Sequence, residues 1–317
     1  MTSIIFMGTP QFAVPVLDGL VAAGYDVQLV ITQPDRPVGR KQVLQQSPVK
    51  QAALKHGIKV LQPEKLSGSP ELAEAIDLHA DLIVTAAYGQ FLPTKFLKSV
   101  KVAAVNVHGS LLPKYRGGAP IQYAVKNLDS EIGVTIIEMV KAMDAGGMYA
   151  QRSIPLTRAD DTGSAFKRLS PVGRDLLLDT LPDIIAGTAK KTPQEEAKVT
   201  FSPTISKEQE HLDFTLPATK VDGWIRALRP DVGGWVKLGG QRCKIWAATP
   251  LDEHTELAPG QLVRSGKHEF VLSAGDGTVL AIDELQPAGK SKQDVTAYMN
   301  GQGRKFTTGM QVVEIEE

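Results

Sequence analysis

Apolar residues fall in short unbroken runs in the first half of the chain and in alternation near its end. Residues 3–7, 81–87 and 102–107 are runs of the kind that fill a strand buried on both faces. Residues 25–32 alternate before turning apolar, which reads as a further strand. Over 11–23 the apolar positions Phe12, Val16 and Leu20 recur at helical spacing, and Gly24 closes the helix. Helices are predicted over 49–56 and about 70–79, with a short strand at 58–62. This strand–helix–strand opening predicts a doubly wound, mostly parallel α/β sheet. A helix over 120–127 and strands over 133–140 and 148–154 extend it. Helical spacing also covers 162–185, where Pro171 is expected to break or kink the helix.

Residues 187–206 are polar, with scattered Pro and Ser. They predict a first domain over 1–188, a linker over 189–206 and a second domain over 207–317. The second domain opens with a helix over 218–228. Short strands follow at 235–238, 241–248, 260–265, 269–273 and 278–284, separated by glycine. That spacing predicts a smaller antiparallel β-barrel.

A length of 317 residues suits two domains, and 42% hydrophobic residues are ample for two cores. The formal charge is zero, from 35 basic and 35 acidic residues. The last 111 residues hold 13 basic against 16 acidic, or −3. The first 206 therefore hold 35 − 13 = 22 against 35 − 16 = 19, or +3. No strongly basic composition announces a nucleic-acid partner, although Lys237, Arg242, Lys244, Lys290, Lys292, Arg304 and Lys305 gather in places. One cysteine, Cys243, leaves no intrachain disulfide and no Cys pair for zinc, and an inert thiol is expected. The first residues lack the pattern of a signal peptide, and no apolar run approaches the ~18 residues of a membrane span. A cytoplasmic protein with no membrane association and no bound metal is expected.

The chemistry centres on 105–120, VNVHGSLLPKYRGGAP. An apolar strand delivers Asn106 and His108, two residues apart and so on one face of the strand's end. In open α/β sheets, ligands bind beyond the carboxyl ends of strands. The turn at 88–93, after another apolar strand, should lie beside this site. Asn106 and a protonated His108 could both donate to an oxyanion. Asp144, in the glycine-flanked loop 141–147, could orient His108 or relay a proton. Such a set suits acyl transfer without a covalent enzyme intermediate, and no G-x-S-x-G elbow is present. On spacing alone the plainer reading stands beside it: a satisfied structural His and an Asp that caps a turn. Glycines near residue 8 do not form G-x-G-x-x-G, so a dinucleotide is set aside. Residues 33–50 carry Arg36, Arg40, Lys41 and Lys50 against Asp35. They form either a solvated loop or a basic arm that meets a polyanion.

Residues 106–120 and 133–148 (GVTIIEMVKAMDAGGM) together resemble the formyltransferase family that uses 10-formyltetrahydrofolate. FMGTPQFAVPVL at 6–17, the loop over 32–50 and QPAGKSKQDVTAYMNGQGRKF near the end resemble the branch acting on methionyl initiator tRNA. The likeness implies a Rossmann-like catalytic domain followed by an OB-like barrel. It implies Asn106, His108 and Asp144 as the catalytic set. Ser110, Leu111, Leu112 and Pro113 would line the folate site, with the backbone of Gln90, Phe91 and Leu92 against the pteridine. Arg40 and Lys41 would enter the acceptor end of the tRNA. The co-substrate implied is 10-formyltetrahydrofolate, with no metal, and a monomer is expected. The chain departs from the pattern at 229–235, where relatives often carry a Pro-Trp-Pro-like turn. Formyl transfer to a sugar amine or glycinamide nucleotide, hydrolysis of the folate, and a non-catalytic RNA-binding module are the rival functions. The basic loop and the barrel favour tRNA over a small acceptor, and Asn106, His108 and Asp144 together argue against a pure binder.

Overall fold

In a computed structural model, residues 1–38 and 42–315 are described. The chain divides into two compact units, one of residues 1–120, 131–155 and 166–203, the other of 121–130, 156–165 and 204–317.

In chain order the first unit holds β1 (Ser3–Gly8), α1 (Val14–Ala22), β2 (Asp26–Ile31), β3 (Arg36–Val38), β4 (Val43–Gln45), α2 (Pro48–Lys55) and β5 (Lys59–Leu61). Next come α3 (Pro70–Asp77), β6 (Leu82–Ala86), α4 (Thr94–Leu97) and β7 (Ala103–His108). The helix α5 (Pro120–Asn127) lies almost wholly in the second unit, and β8 (Glu131–Glu138) and β9 (Met148–Pro155) return to the first. The seven-stranded sheet runs β5-β2-β1-β6-β7-β8-β9, parallel from β5 to β7 and antiparallel from β7 to β9. Strand order reverses between β1 and β6, so the doubly wound reading holds and the carboxyl ends of β1, β6 and β7 lie side by side. Every residue of β1 and β6 is buried, which is why their sequences are continuous apolar runs. Ser47 and Ser69 cap α2 and α3 by accepting from the third residue on, and proline opens each helix.

Two expectations change. Part of the 33–50 loop forms a hairpin, β3 paired with β4. Helix α6 (Thr162–Ala186) runs unbroken through Pro171 and Pro182. A helical proline costs about 3 kcal/mol, but Leu169, Leu176 and Leu177 are all buried around Pro171. Each such leucine contributes about 1.5–3 kcal/mol, so tertiary packing wins. The Ser170 hydroxyl also donates to the Phe12 carbonyl (2.7 Å), tying this part of the helix to the unit's first helix region.

The second unit comprises α7 (Ala218–Ala227), β10 (Gly234–Leu238), β11 (Gln241–His254), β12 (Leu262–Gly266), β13 (Glu269–Ser273), β14 (Thr278–Pro287), β15 (Gln293–Asp294) and α8 (Val295–Met299). Its antiparallel sheet runs β10-β11-β14-β13-β12, with β15 beside β14. The C-terminal segment bridges both edges, Val313 to Leu238 and Gln311 to Gln261, and so closes the sheet. Leu238, Ile245, Phe270, Leu272, Leu280 and Phe306 fill the interior. The departing 229–235 turn caps α7: the Leu228 carbonyl accepts from Val232 (3.1 Å) and Gly233 (3.0 Å). Gly233, at φ +71°, lies under the Trp246 ring, where a Cβ would come within 2.7 Å.

No helix among the described residues is long and apolar enough to cross a membrane.

Candidate functional site

Asn106 and His108 occupy the end of β7, and register places them opposite Ile137 and Thr135 of β8. Val107 between them turns to the other face, against α6, where Gly173 makes room: a Cβ there would lie 2.9 Å from Val107 Cγ1. The strand's pleat thus points Asn106 and His108 together. Asp144 meets both. Asn106 Nδ2 lies 3.5 Å from Asp144 Oδ1, and His108 Nδ1 lies 3.7 Å from the same oxygen.

Each member is held from behind. Thr85 of β6 donates to Asn106 Oδ1 (2.8 Å), which turns the amide's NH2 toward Asp144. His108 is buried, and its Nε2 lies 3.0 Å from the Tyr115 carbonyl. A carbonyl only accepts, so Nε2 carries the hydrogen and Nδ1 is left facing the carboxylate. Any second proton on this ring therefore sits at Nδ1, between imidazole and Asp144. The Gly117 N–H donates to Asp144 Oδ2 (2.9 Å). Asp144 has φ +50°, a left-handed conformation that Asp tolerates better than most residues. Its loop approaches β8 closely: a Cβ on Gly146 would sit 1.8 Å from the Glu138 carbonyl oxygen. The Asp144 side chain is 14% exposed, so the cluster is reachable from one side.

Among the described residues no group of three or more His, Cys, Asp or Glu side chains could hold a metal ion.

The segment expected to line a folate site is largely turned inward. Ser110 is buried and donates to the Lys114 carbonyl (2.6 Å). Leu112 is buried, its N–H donating to Thr135 Oγ1 (3.2 Å) and its carbonyl accepting from Gln151 Nε2 (2.7 Å). Leu111 packs where Gly133 lacks a side chain: a Cβ there would lie 2.3 Å from Leu111 Cδ2. Pro113 is half-buried, and its carbonyl accepts from Thr200 (3.3 Å). Gln90 accepts from the Leu66 N–H (2.9 Å) and donates to Gln33 (3.2 Å). Leu92 is buried, whereas Phe91 is 60% exposed. Burial pushes the neighbouring Tyr88 hydroxyl up to about 12.

Arg40 and Lys41 lie outside the described residues. The arm around them is anchored, with Arg36 forked on Glu64 and Lys50 on Asp35 (2.6 Å). Asp35 is held below the usual carboxylate range by Gln62 and Lys50.

Several residues at the site escape a reading by sequence: Thr85, Arg116, Gly117, Gln194 and Ser202. Arg116 and Gly117 sit inside the basic, glycine-rich stretch after β7, which was a partial signal. Gln194 and Ser202 lie in the expected linker, whose polar composition resembles any solvated connection.

In the second unit, alternation along β10 and β11 puts Trp235, Lys237, Arg242 and Lys244 outside, while Val236, Leu238, Cys243 and Ile245 point to the core. The Arg242 guanidinium lies over the Trp235 ring at 4.1 Å, and Lys292 over the Trp246 ring at 3.5 Å. A cleft of about 120 Å³ is rimmed by Arg242 and Lys305, with Gln241, Gln302 and Tyr298 in its wall.

The formyl transferase family matches residues 1–181, and its C-terminal domain matches residues 204–303. The chain belongs to the formyl transferase family. It is 67% identical over 313 residues to the methionyl-tRNA formyltransferase of Lacticaseibacillus casei, covering 99% of this chain and 98% of that one. It is 58% identical over 318 residues to the methionyl-tRNA formyltransferase of Ligilactobacillus salivarius, covering both chains fully. Among solved structures it resembles the N-formyltransferase of Helicobacter canadensis in complex with folinic acid and dTDP-3-aminofucose. There the TM-score is 0.66 at 19% identity, over 90% of this chain and 100% of that one. HypX of Aquifex aeolicus in complex with tetrahydrofolic acid gives a TM-score of 0.62 at 19% identity, over 95% and 47%. These distant structures share the formyltransferase fold.

Proposed function

We propose that this formyltransferase moves the formyl group of 10-formyltetrahydrofolate to the amino group of methionyl initiator tRNA. The observation that carries the reading is the convergence of Asn106 and His108 on one oxygen of Asp144, in a chain alike over its whole length to methionyl-tRNA formyltransferases. The folate supplies an activated formyl carbon. The donor set suits that carbon, because Asn106 has two N–H groups and only a long contact to Asp144 occupies one.

The deprotonated methionyl amine attacks the formyl carbon, and a C–N bond forms as the carbonyl oxygen becomes an oxyanion. Asn106 Nδ2 and a protonated His108 Nδ1 donate to that oxygen. Asp144 accepts the proton shed by the amine and, through water, passes it to the folate nitrogen as the old C–N bond breaks. Ser110 and Leu112 act by holding the wall's shape, while the exposed Phe91 ring offers a flat apolar face to a heterocycle. Arg40 and Lys41 contact the acceptor end, and the basic outer face of β10 and β11 follows the RNA backbone.

Steady-state kinetics of Asn106→Ala and Asp144→Ala with charged initiator tRNA test the roles. The kcat should fall about 10²–10³-fold for the amide and about 10²–10⁴-fold for the carboxylate, with KM little changed. Near-native turnover in either variant removes that residue from the chemistry.

A further inference from the structure

The last segment of the first unit, residues 194–202, is laced onto the loop that carries Asp144. Gln194 spends both hydrogens of its amide there. Nε2 donates to the Asp144 carbonyl at 2.7 Å and to the Gly146 carbonyl at 2.9 Å. Its Oε1 accepts from Arg116 Nε at 2.9 Å. A planar amide with all three contacts made has little rotational freedom left, so it sets the separation of two carbonyls in a tight, left-handed turn.

Arg116 is held in its own right. Its side chain is buried and forks onto Glu196 (2.9 and 3.5 Å). Glu196 is exposed, so that ion pair is screened and weak. The firmer hold is through the main chain: the Arg116 N–H donates to Thr200 (2.9 Å) and its carbonyl accepts from Ser202 (2.8 Å). The residues on either side of Arg116 reach two members of the cluster, His108 and Asp144. The Tyr115 carbonyl accepts from His108 and also from the buried Ser202 hydroxyl (3.1 Å), and the Gly117 N–H holds Asp144 Oδ2. Three consecutive residues therefore touch His108, Gln194 and Asp144 in turn, and the segment 194–202 braces all three.

We propose that Gln194 is a positioning residue for formyl transfer: locked by Arg116, its amide fixes the backbone of the Asp144 loop and so the stance of the carboxylate against Asn106 and His108. The proposal rests on Asp144 as the proton-handling carboxylate. Gln194 touches no reacting atom. Its contribution arises because the carboxylate oxygen stands 3.5–3.7 Å from its partners, where a shift of about 1 Å costs about 10²-fold in rate.

The test is the kinetics of full-length Gln194→Ala, alone and combined with Asp144→Ala, with Tm recorded for each. Gln194→Ala should lower kcat about 10–100-fold while KM for folate and for tRNA stays within about threefold. Added to Asp144→Ala, it should lower kcat no further, because it acts through that carboxylate. Gln194→Met, similar in length and without donors, should reproduce the loss if the alanine variant does not fold. Native kcat in Gln194→Ala, or an equal further loss on top of Asp144→Ala, overturns the proposal. Native turnover in Asp144→Ala alone fails the assignment of that carboxylate instead, and the two failures are thereby told apart.

Discussion

Asn106 faces the site because Thr85 takes its oxygen. Thr85→Val keeps the shape and removes the donor, leaving Asn106 Oδ1 without its partner and the amide free to flip. The expected result is a kcat lowered about tenfold with Tm nearly unchanged, since one neutral hydrogen bond contributes only about 1 kcal/mol. Unchanged kcat would mean that another contact orients the amide. A second residue-scale prediction concerns Asp81, whose carboxylate accepts from the Ser3 N–H (2.8 Å) and hydroxyl (3.0 Å) at the start of β1. These bonds hold it below its usual range. Stability from a depressed carboxyl is fully present above the unfolded value, about 3.9, and fades as pH falls through the lower folded value. Asp81→Asn should therefore lower unfolding free energy by about 1 kcal/mol at pH 7, with the difference from wild type shrinking below about pH 4. A pH-independent difference in urea melts would contradict this. Cys243, buried and pushed up to about 12, should resist thiol reagents in the native state at pH 8 and react only on unfolding.

At the scale of elements, the approach of the Asp144 loop to β8 depends on Gly146. Gly146→Ala puts a methyl into the Glu138 carbonyl, and backbone cannot yield as a flexible side chain does. The loop must shift, so kcat should fall at least tenfold and more steeply than Tm; a variant with wild-type kcat would show that the loop's position is not critical. The buried strands of the large sheet were legible because apolar runs record burial on both faces. Asn106 and His108 were legible because period two puts them on one face at a strand's carboxyl end. Asp144 was a candidate as the one carboxylate of a glycine-containing loop, but only the family resemblance favoured it over a turn-capping Asp, as spacing cannot show that a loop 36 residues on folds back to β7. The hairpin β3–β4 was hidden in a Pro- and Gln-rich stretch with little alternation. The unbroken α6 was hidden because packing outweighed two prolines. Gln194 was invisible for the plainest reason: its importance lies in three long-range hydrogen bonds, and nothing local to a polar segment records them.

At the scale of the molecule, a near-neutral chain gathers cations on the outer face of the barrel. Arg242 and Lys305 rim one cleft there. Each cation that meets a phosphate contributes about one unit to the slope of log affinity against log salt. Arg242→Gln with Lys305→Gln should raise KM for tRNA and flatten its salt dependence by up to about two units, leaving KM for folate unchanged. An unaltered slope would take this cleft out of the RNA contact.

The central claim is best tested by following labelled formyl from 10-formyltetrahydrofolate. The acceptors are charged initiator tRNA, elongator methionyl-tRNA and a sugar amine, beside a control without acceptor. The account predicts rapid formylation of the initiator alone. Transfer only to the small amine, or release of formate without an acceptor, would contradict it.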